Sequence, residues 1–393
     1  MAQISANVKP VKVLLHAIFF LAGIATVFIG PVLPVMINRF SLNDLEAGYI
    51  FPAQFAGSVI GTYLTTYFGR RGKFLPAVMI GCFLMATGML LVNANGFAAC
   101  LVGFGINGLG VGLTLPAINL IILETAEGNS AAALSILNFC WGAGAIVCKP
   151  FIDQVGDPGS IAFPTLILAV LFTGLGVMLV IAPSQIMDAE RRENGLEQAD
   201  IKIWVMPLAW MIAAFNFIHV GFETAIGGWL TAYADRTDPS RAADLFSPFV
   251  FYFGFLVLGR AIIPLFLRQL SENAVMISSL VVIFCGLLVT LSAASTTQLS
   301  VGAAIAGFGT STVFPTSISR FGRIFGPGSS RHATPLFLAG TIGGAVVSWL
   351  IGFLSNQMAS LRLAMYVLVV SVALLLVLQT GVMVTGRRST EST

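Results

Sequence analysis

Apolar residues run in long stretches near 12–36, 45–68, 73–93, 97–122, 131–152 and 161–183. After a charged gap they resume near 204–233, 247–267, 274–293, 299–319, 333–354 and 362–385. A helix needs about 20 mostly apolar residues to cross the hydrocarbon core of a bilayer. The pattern therefore predicts twelve transmembrane helices, six on each side of a linker. That linker, residues 184–202, is the long charged segment of the chain and separates an N-terminal half, 1–183, from a C-terminal half, 203–393. The expected fold is an all-α membrane protein made of two pseudo-symmetric six-helix bundles.

Composition agrees with the pattern. Of the 393 residues, 57% are hydrophobic and 9% charged, against roughly 25% charge in a soluble domain. The cysteines (Cys82, Cys100, Cys140, Cys148 and Cys285) fall in apolar runs without metal-ligand spacing and are expected to be core residues. No phosphate-cradling loop or nucleophile–base motif is legible, so neither a cofactor nor an enzymatic activity is expected. Lys9 and Lys12 lead directly into the first stretch, which does not read as a cleavable leader. Placing the N-terminus in the cytoplasm puts Lys9, Lys12, Arg70, Arg71, Lys73, Arg191, Arg192, Lys202, Arg268, Arg320, Arg323, Arg331, Arg387 and Arg388 inside, and leaves Arg39, Lys149, Arg236, Arg241 and Arg362 outside. That bias predicts both termini in the cytoplasm. The expected location is the bacterial inner membrane, and the expected oligomeric state is a monomer.

The halves repeat one another. Gly110 and Gly309, Pro116 and Pro315, and Gly144 and Gly343 are each 199 residues apart. The same offset sets Arg260 beside Gly61. Two duplicated halves around a midplane site describe a secondary transporter.

Polar groups inside such stretches are costly and mark pathways or partner helices. In "FNFIHVGFETAIGGWL" (215–230), Asn216, His219, Glu223 and Gly227 recur on one helix face. His219 and Glu223 are i, i+4 neighbours able to pair. A carboxyl near mid-membrane is suited to carry a proton, and a proton is the expected coupling ion. In the fifth stretch Asn138, Trp141 and Lys149 share a face, with Asp153 a turn further. An amide grips vicinal hydroxyls, and an indole offers a flat apolar face to a sugar ring. Lys149 and Asp153 read as an ion pair at the outer mouth. Gln54, Asn107, Asn119, Asn216, Trp229 and Glu223 itself, whose carboxylate could instead grip sugar hydroxyls or lock to His219 or Arg260, complete the candidate solute contacts, with Trp229 equally readable as an interfacial aromatic. Few fixed cations accompany these groups, which favours a small neutral polar solute over an anion or a nucleic acid.

Several motifs give a family resemblance. "GRRGK" (69–73) resembles the basic turn of the major facilitator superfamily, with Arg70 and Arg71 as gating elements and Thr66 where that family carries an aspartate. "VLPVMINRFSLNDLEAGYI" (32–50), "LSILNFCWGAGAI" (134–146) and "YFGFLVLGRAIIPLFLRQL" (252–270) resemble the fucose:proton symporter family of sugar permeases. The resemblance implies that Asn138 contacts sugar and that the Gly259–Arg260 pair serves gating or packing. It also implies acids at two positions that here read Gly30 and Leu113, which leaves Glu223 as the deep carboxylate. The expected function is proton-coupled uptake of a monosaccharide, a hexose or deoxyhexose, by alternating access of the two halves. The alternatives are a facilitative sugar uniporter and a drug/proton efflux antiporter.

Overall fold

The computed structural model describes residues 2–69, 71–125, 130–156, 159–181, 203–239, 247–266, 271–326 and 333–391. Arg70 and the predicted linker, 184–202, lie outside them. The described residues are almost wholly helical: α1 (Ala2–Val27), α2 (Ile29–Phe40), α3 (Asp44–Gly48), α4 (Ile50–Gly69), α5 (Phe74–Val92), α6 (Phe97–Glu124), α7 (Ser130–Val155) and α8 (Ala162–Ile181). A 3-10 turn (Ile203–Val205) then leads into α9 (Pro207–Thr237), α10 (Pro248–Phe266), α11 (Glu272–Ser292), α12 (Thr296–Thr310), α13 (Val313–Phe325), α14 (Thr334–Met358), α15 (Leu361–Ala364) and α16 (Tyr366–Glu391). Each predicted crossing falls on one helix or on a broken pair. Among the described residues, ten helices or helix pairs are long and apolar enough to cross a membrane. Of the other two crossings, α4 is diluted by Gln54, Ser58, Thr62, Thr65 and Thr66, and the apolar stretch of α10, Pro248–Ile262, is shorter.

The chain forms two compact units: residues 1–40 with 53–198, and residues 41–52 with 199–393. In lipid, apolar surface gives helices no reason to associate, so close packing at small residues must hold them together. The glycines do this, and they do it twice. In the first unit a Cβ on Gly144 would run into the Phe20 carbonyl; in the second, a Cβ on Gly343 would run into the Phe217 carbonyl. Gly88 of α5 lies against Gly103 and Asn107, and Gly286 of α11 lies against Gly302 and Ala306. Gly108 meets the Gln54 carbonyl, and Gly307 meets the Tyr252 carbonyl. The internal repeat is therefore a repeat of backbone contacts. It also corrects one register. Gly61 packs on α6 as Gly259 packs on Ser311 and Phe308, and those two glycines are 198 residues apart. The partner of Gly61 is thus Gly259, and Arg260 answers to Thr62.

The two units differ where proline enters. Pro116 lies inside the continuous α6, although proline strips the carbonyl four residues earlier of its N–H partner. The Thr65 hydroxyl lies within hydrogen-bond distance of the Gly112 and Leu113 carbonyls, at 3.1 and 3.0 Å, as well as the Gly61 carbonyl of its own helix at 3.1 Å, so its one hydrogen can be shared with the stranded Gly112. At the 198-residue offset Thr65 becomes Ile263, which has no hydroxyl to give. There the helix breaks between α12 and α13, at Ser311 and Thr312, just before Pro315. Ser311 turns its hydroxyl to the Phe308 carbonyl (2.6 Å), and Thr312 pairs with Ser279 of α11 (2.7 Å).

Gly108→Ala is expected to cost about 1–3 kcal/mol, because neither backbone can move aside. Gly174→Ala, where nothing lies within 4 Å, is expected to be neutral. Melting of the two purified variants in detergent compares them directly, and equal midpoints would refute the packing account.

Candidate functional site

In the second unit, α9 carries the polar face. At 1.5 Å per residue its 31 residues extend about 46 Å, which places Glu223 near the middle. The helix is continuous because it opens on Pro207 at its first turn, where no N–H is needed. Glu223 sits between two nitrogen groups. His219 Nε2 is 3.5 Å from one carboxylate oxygen, and Arg260 Nη2 of α10 is 3.8 Å from the other. His219 is fully buried, with Phe215 stacked on its ring. Both separations are ion-pair distances, longer than hydrogen bonds. Neither ring nitrogen of His219 nor Arg260 Nε has a hydrogen-bond partner in the protein. The group is therefore loosely bonded and charge-matched. A guanidinium stays charged at any accessible pH, so Arg260 places a fixed positive charge beside the Glu223 carboxylate. Tyr252 of α10 is buried and reaches toward Thr310, with its hydroxyl 3.4 Å from that of the threonine.

The flanking members of the predicted face are committed elsewhere. Asn216 is buried and donates to the Ile212 carbonyl and to Ser317 Oγ, at 2.9 and 2.8 Å. Gly227 faces the Phe253 ring. Trp229 has no open face: it is fully buried, its indole N–H donates to the Ser348 carbonyl (2.9 Å), and Phe51 stacks on it.

In the first unit the structure brings Gln54 and Asn107 together. The amide nitrogen of Asn107 lies 3.5 Å from Gln54 Oε1 and 3.2 Å from the Ala25 carbonyl, and Gln54 donates to the Thr26 carbonyl at 3.0 Å. These carbonyls belong to the last turn of α1, which stops at Val27 ahead of Pro31 and Pro34. The two amides thus stand in for the N–H groups that a continuous helix would supply. Asn138 is exposed, and its nitrogen donates to the Leu134 carbonyl one turn back (2.8 Å). Asn119 donates likewise to Leu115 (2.9 Å), and Trp141 is half-buried. Lys149 and Asp153 form an ion pair of 2.7 Å with the ammonium buried. Arg71 lies over the Tyr67 ring, 4.1 Å from its centre.

Two clusters of the second unit were not among the predicted residues. Arg320 of α13 is buried and donates to Glu272 (2.8 Å), Gln379 (2.6 Å) and Asn273 (2.9 Å), while Arg323 pairs with the same glutamate. These partners are far apart in sequence, and no spacing announces them. The other cluster centres on Asp44 of α3. Arg236 donates to both its oxygens, at 2.8 and 2.5 Å, and Ser355 donates at 2.5 Å. Here one local signal was readable: Asn43 and Glu46 have capping-box spacing and form that box.

Two helical units with an internal repeat, and a carboxylate paired with an arginine inside a long apolar helix, have the layout of a membrane transporter. Residues 15–334 match the Major Facilitator Superfamily, and the chain belongs to that family. It is similar to the glucose/mannose transporter GlcP of Bacillus subtilis, with 23% identity over 87% of each chain. It is also similar to bypass of stop codon protein 6 of Saccharomyces cerevisiae, at 21% identity over 65% of this chain, a match spanning 56% of the yeast protein's length. Among solved structures, it resembles a bacterial homologue of the human lysosomal transporter Spinster in an inward-facing conformation (TM-score 0.75, 15% identity, 97% of each chain). It likewise resembles the transporter FucP in its outward conformation (TM-score 0.63, 19% identity, 94% of this chain and 98% of that one). At these identities the structures establish the fold, which is that of a multi-pass membrane transporter.

Burial acts to raise the pKa of Asp44, but the hydrogen bonds from Arg236 and Ser355 outweigh it and hold the carboxyl below its ordinary value. A carboxylate with a depressed folded pKa contributes stability above its unfolded pKa and loses it as pH falls through the folded value. The melting difference between wild type and Asp44→Asn is therefore expected to stay constant on acidification until pH drops below about 4. A difference that already shrinks near neutrality would contradict this arrangement.

Proposed function

We propose that the protein is a proton-coupled importer of a monosaccharide, working by alternating access, with Glu223 as the coupling carboxylate. The observation that carries the reading is the position of Glu223 between His219 and Arg260 at ion-pair distances. Protonation of Glu223 would leave Arg260 as the uncompensated charge of the cluster, and deprotonation would restore the pair. Such a group binds a proton in one state of access and releases it in the other. A sugar as solute is supported by the exposed amide of Asn138 and the half-buried Trp141 beside it in the chain. It is also supported by the similarity to GlcP, a glucose/mannose transporter, and by the fold shared with FucP, a fucose:proton symporter. In this reading the halves, 1–183 and 203–393, are joined by a cytoplasmic linker, 184–202, in a monomer of the bacterial inner membrane with both termini in the cytoplasm.

Glu223→Gln keeps shape and hydrogen bonding but cannot cycle a proton. It is expected to abolish accumulation of sugar against a gradient in vesicles while leaving sugar-for-sugar exchange in place. Proton-driven accumulation by this variant would sink the assignment. A coarser test is thermal protection of the purified protein. A panel of hexoses and deoxyhexoses is expected to raise the melting midpoint, and protection by lipophilic cations instead would favour drug efflux.

A further inference from the structure

Where α9, α11, α13 and α16 meet inside the second unit, they enclose a small cavity. Phe215 of α9, Met276 of α11, Ser317 and Arg320 of α13, and Gln379 and Val382 of α16 line it. It has room for about one water molecule. Its polar walls carry more hydrogens than the protein takes up. Ser317 Oγ accepts from Asn216 Nδ2 at 2.8 Å, and among the described residues nothing accepts its own hydrogen. Gln379 accepts from Arg320 at 2.6 Å and gives one of its two amide hydrogens to Asn273 at 3.2 Å. Arg320 donates once each to Glu272, Gln379 and Asn273, from a fork that holds five hydrogens. Close by, a buried acceptor goes unmatched: Asn216 Oδ1, on the same amide that donates to Ser317.

We infer that this cavity is a binding site for one water, which bridges the Arg320–Gln379 group to the Ser317–Asn216 pair. Spare donors and an orphaned acceptor around so small a space suit a neutral molecule that both accepts and donates. An anion would suit the donors but not Asn216 Oδ1, and the charge of Arg320 is already answered by Glu272 at 2.8 Å. An apolar filling would leave every one of these groups unpaired. The bridge lies beside the polar face of α9. Asn216 is one turn from His219, and the ring of Phe215, which lines the cavity, stacks on His219 at 6.5 Å between centres. The water thus ties the charged group of α11, α13 and α16 to the helix that carries Glu223. The site rests on these contacts alone and stands apart from the transport reading above.

X-ray radiolysis in heavy-oxygen water tests the site, because a bound water becomes a hydroxyl radical where it sits and oxidises the nearest side chain. Met276 lines the cavity and is 1% exposed, whereas Met85 and Met89 of α5 are as deeply buried and take no part in it. Mass spectrometry is expected to find labelled sulfoxide at Met276 severalfold above that at Met85 and Met89. Labelling of Met276 no greater than theirs overturns the site, and this comparison needs only the wild-type protein. Val382→Leu puts one more methylene into the space and is expected to bring Met276 down to their level. Undiminished labelling of Met276 in that variant, with Met85 and Met89 still protected, also overturns the site. The bridge is read by a double-mutant cycle of melting midpoints with Asn216→Ala and Gln379→Met, residues that share no hydrogen bond of their own. The combined shift is expected to be smaller than the sum of the single shifts, and a combined shift equal to that sum overturns the bridge.

Discussion

Everything in this fold answers to one constraint: in hydrocarbon no water is available to satisfy a backbone or side-chain polar group. Apolar side chains cost nothing there and gain nothing by meeting each other. The helices are therefore held where backbones can touch, and the glycines of α1, α4, α5, α6, α7 and their counterparts provide those places. The same constraint bears on the paired prolines, Pro116 and Pro315. Where a neighbouring hydroxyl can serve the stranded carbonyl, as Thr65 does, the helix runs on. Ahead of Pro315 the helix breaks, with the Ser311 hydroxyl turned to the Phe308 carbonyl and that of Thr312 paired with Ser279.

The polar groups fall into two kinds under this rule. Most are spent on backbone repair or on helix-to-helix bonds. Gln54, Asn107 and Asn216 are spent on main-chain carbonyls and neighbouring side chains, while Asn119 and Asn138 bond the carbonyl one turn back on their own helix and Asn138 stays exposed. His219, Glu223 and Arg260 are different, since they hold one another at distances too long for firm bonds and leave nitrogen atoms unengaged. The cluster is matched in charge but slack in hydrogen bonding, which separates it from the tightly knit Arg320–Glu272 group.

The crossings were legible because a run of about 20 apolar residues has one stable outcome in a bilayer. The repeat was legible because glycine and proline positions survive as spacing. The pairing of His219 with Glu223 could also be read, since an i, i+4 relation is local. What could not be read was long-range. Nothing in "SLNDLEAGYIFP" says that Asp44 will meet Arg236 and Ser355, because those contacts join residues hundreds of positions apart. The break in α1 and the one before α13 were also missed, since Pro116 and Pro315 look alike until the residue facing each is known. The register of Arg260 failed for a similar reason, as a single offset of 199 ignores the one-residue difference that sets in ahead of Gly302.

The twin glycine contacts also bear on how the chain is made. A packing edge used twice in one polypeptide means that a helix emerging late presents the same surface that an early helix has already found a partner for. Gly343 offers to the backbone at Phe217 the fit that Gly144 offers at Phe20. Wrong pairings of this kind would be nearly as comfortable as the right ones, and exchange between similar modules is a known hazard of repeat-built chains. Because the chain is made from its N-terminus, the seams of the first half have the chance to close before the matching edges of the second emerge.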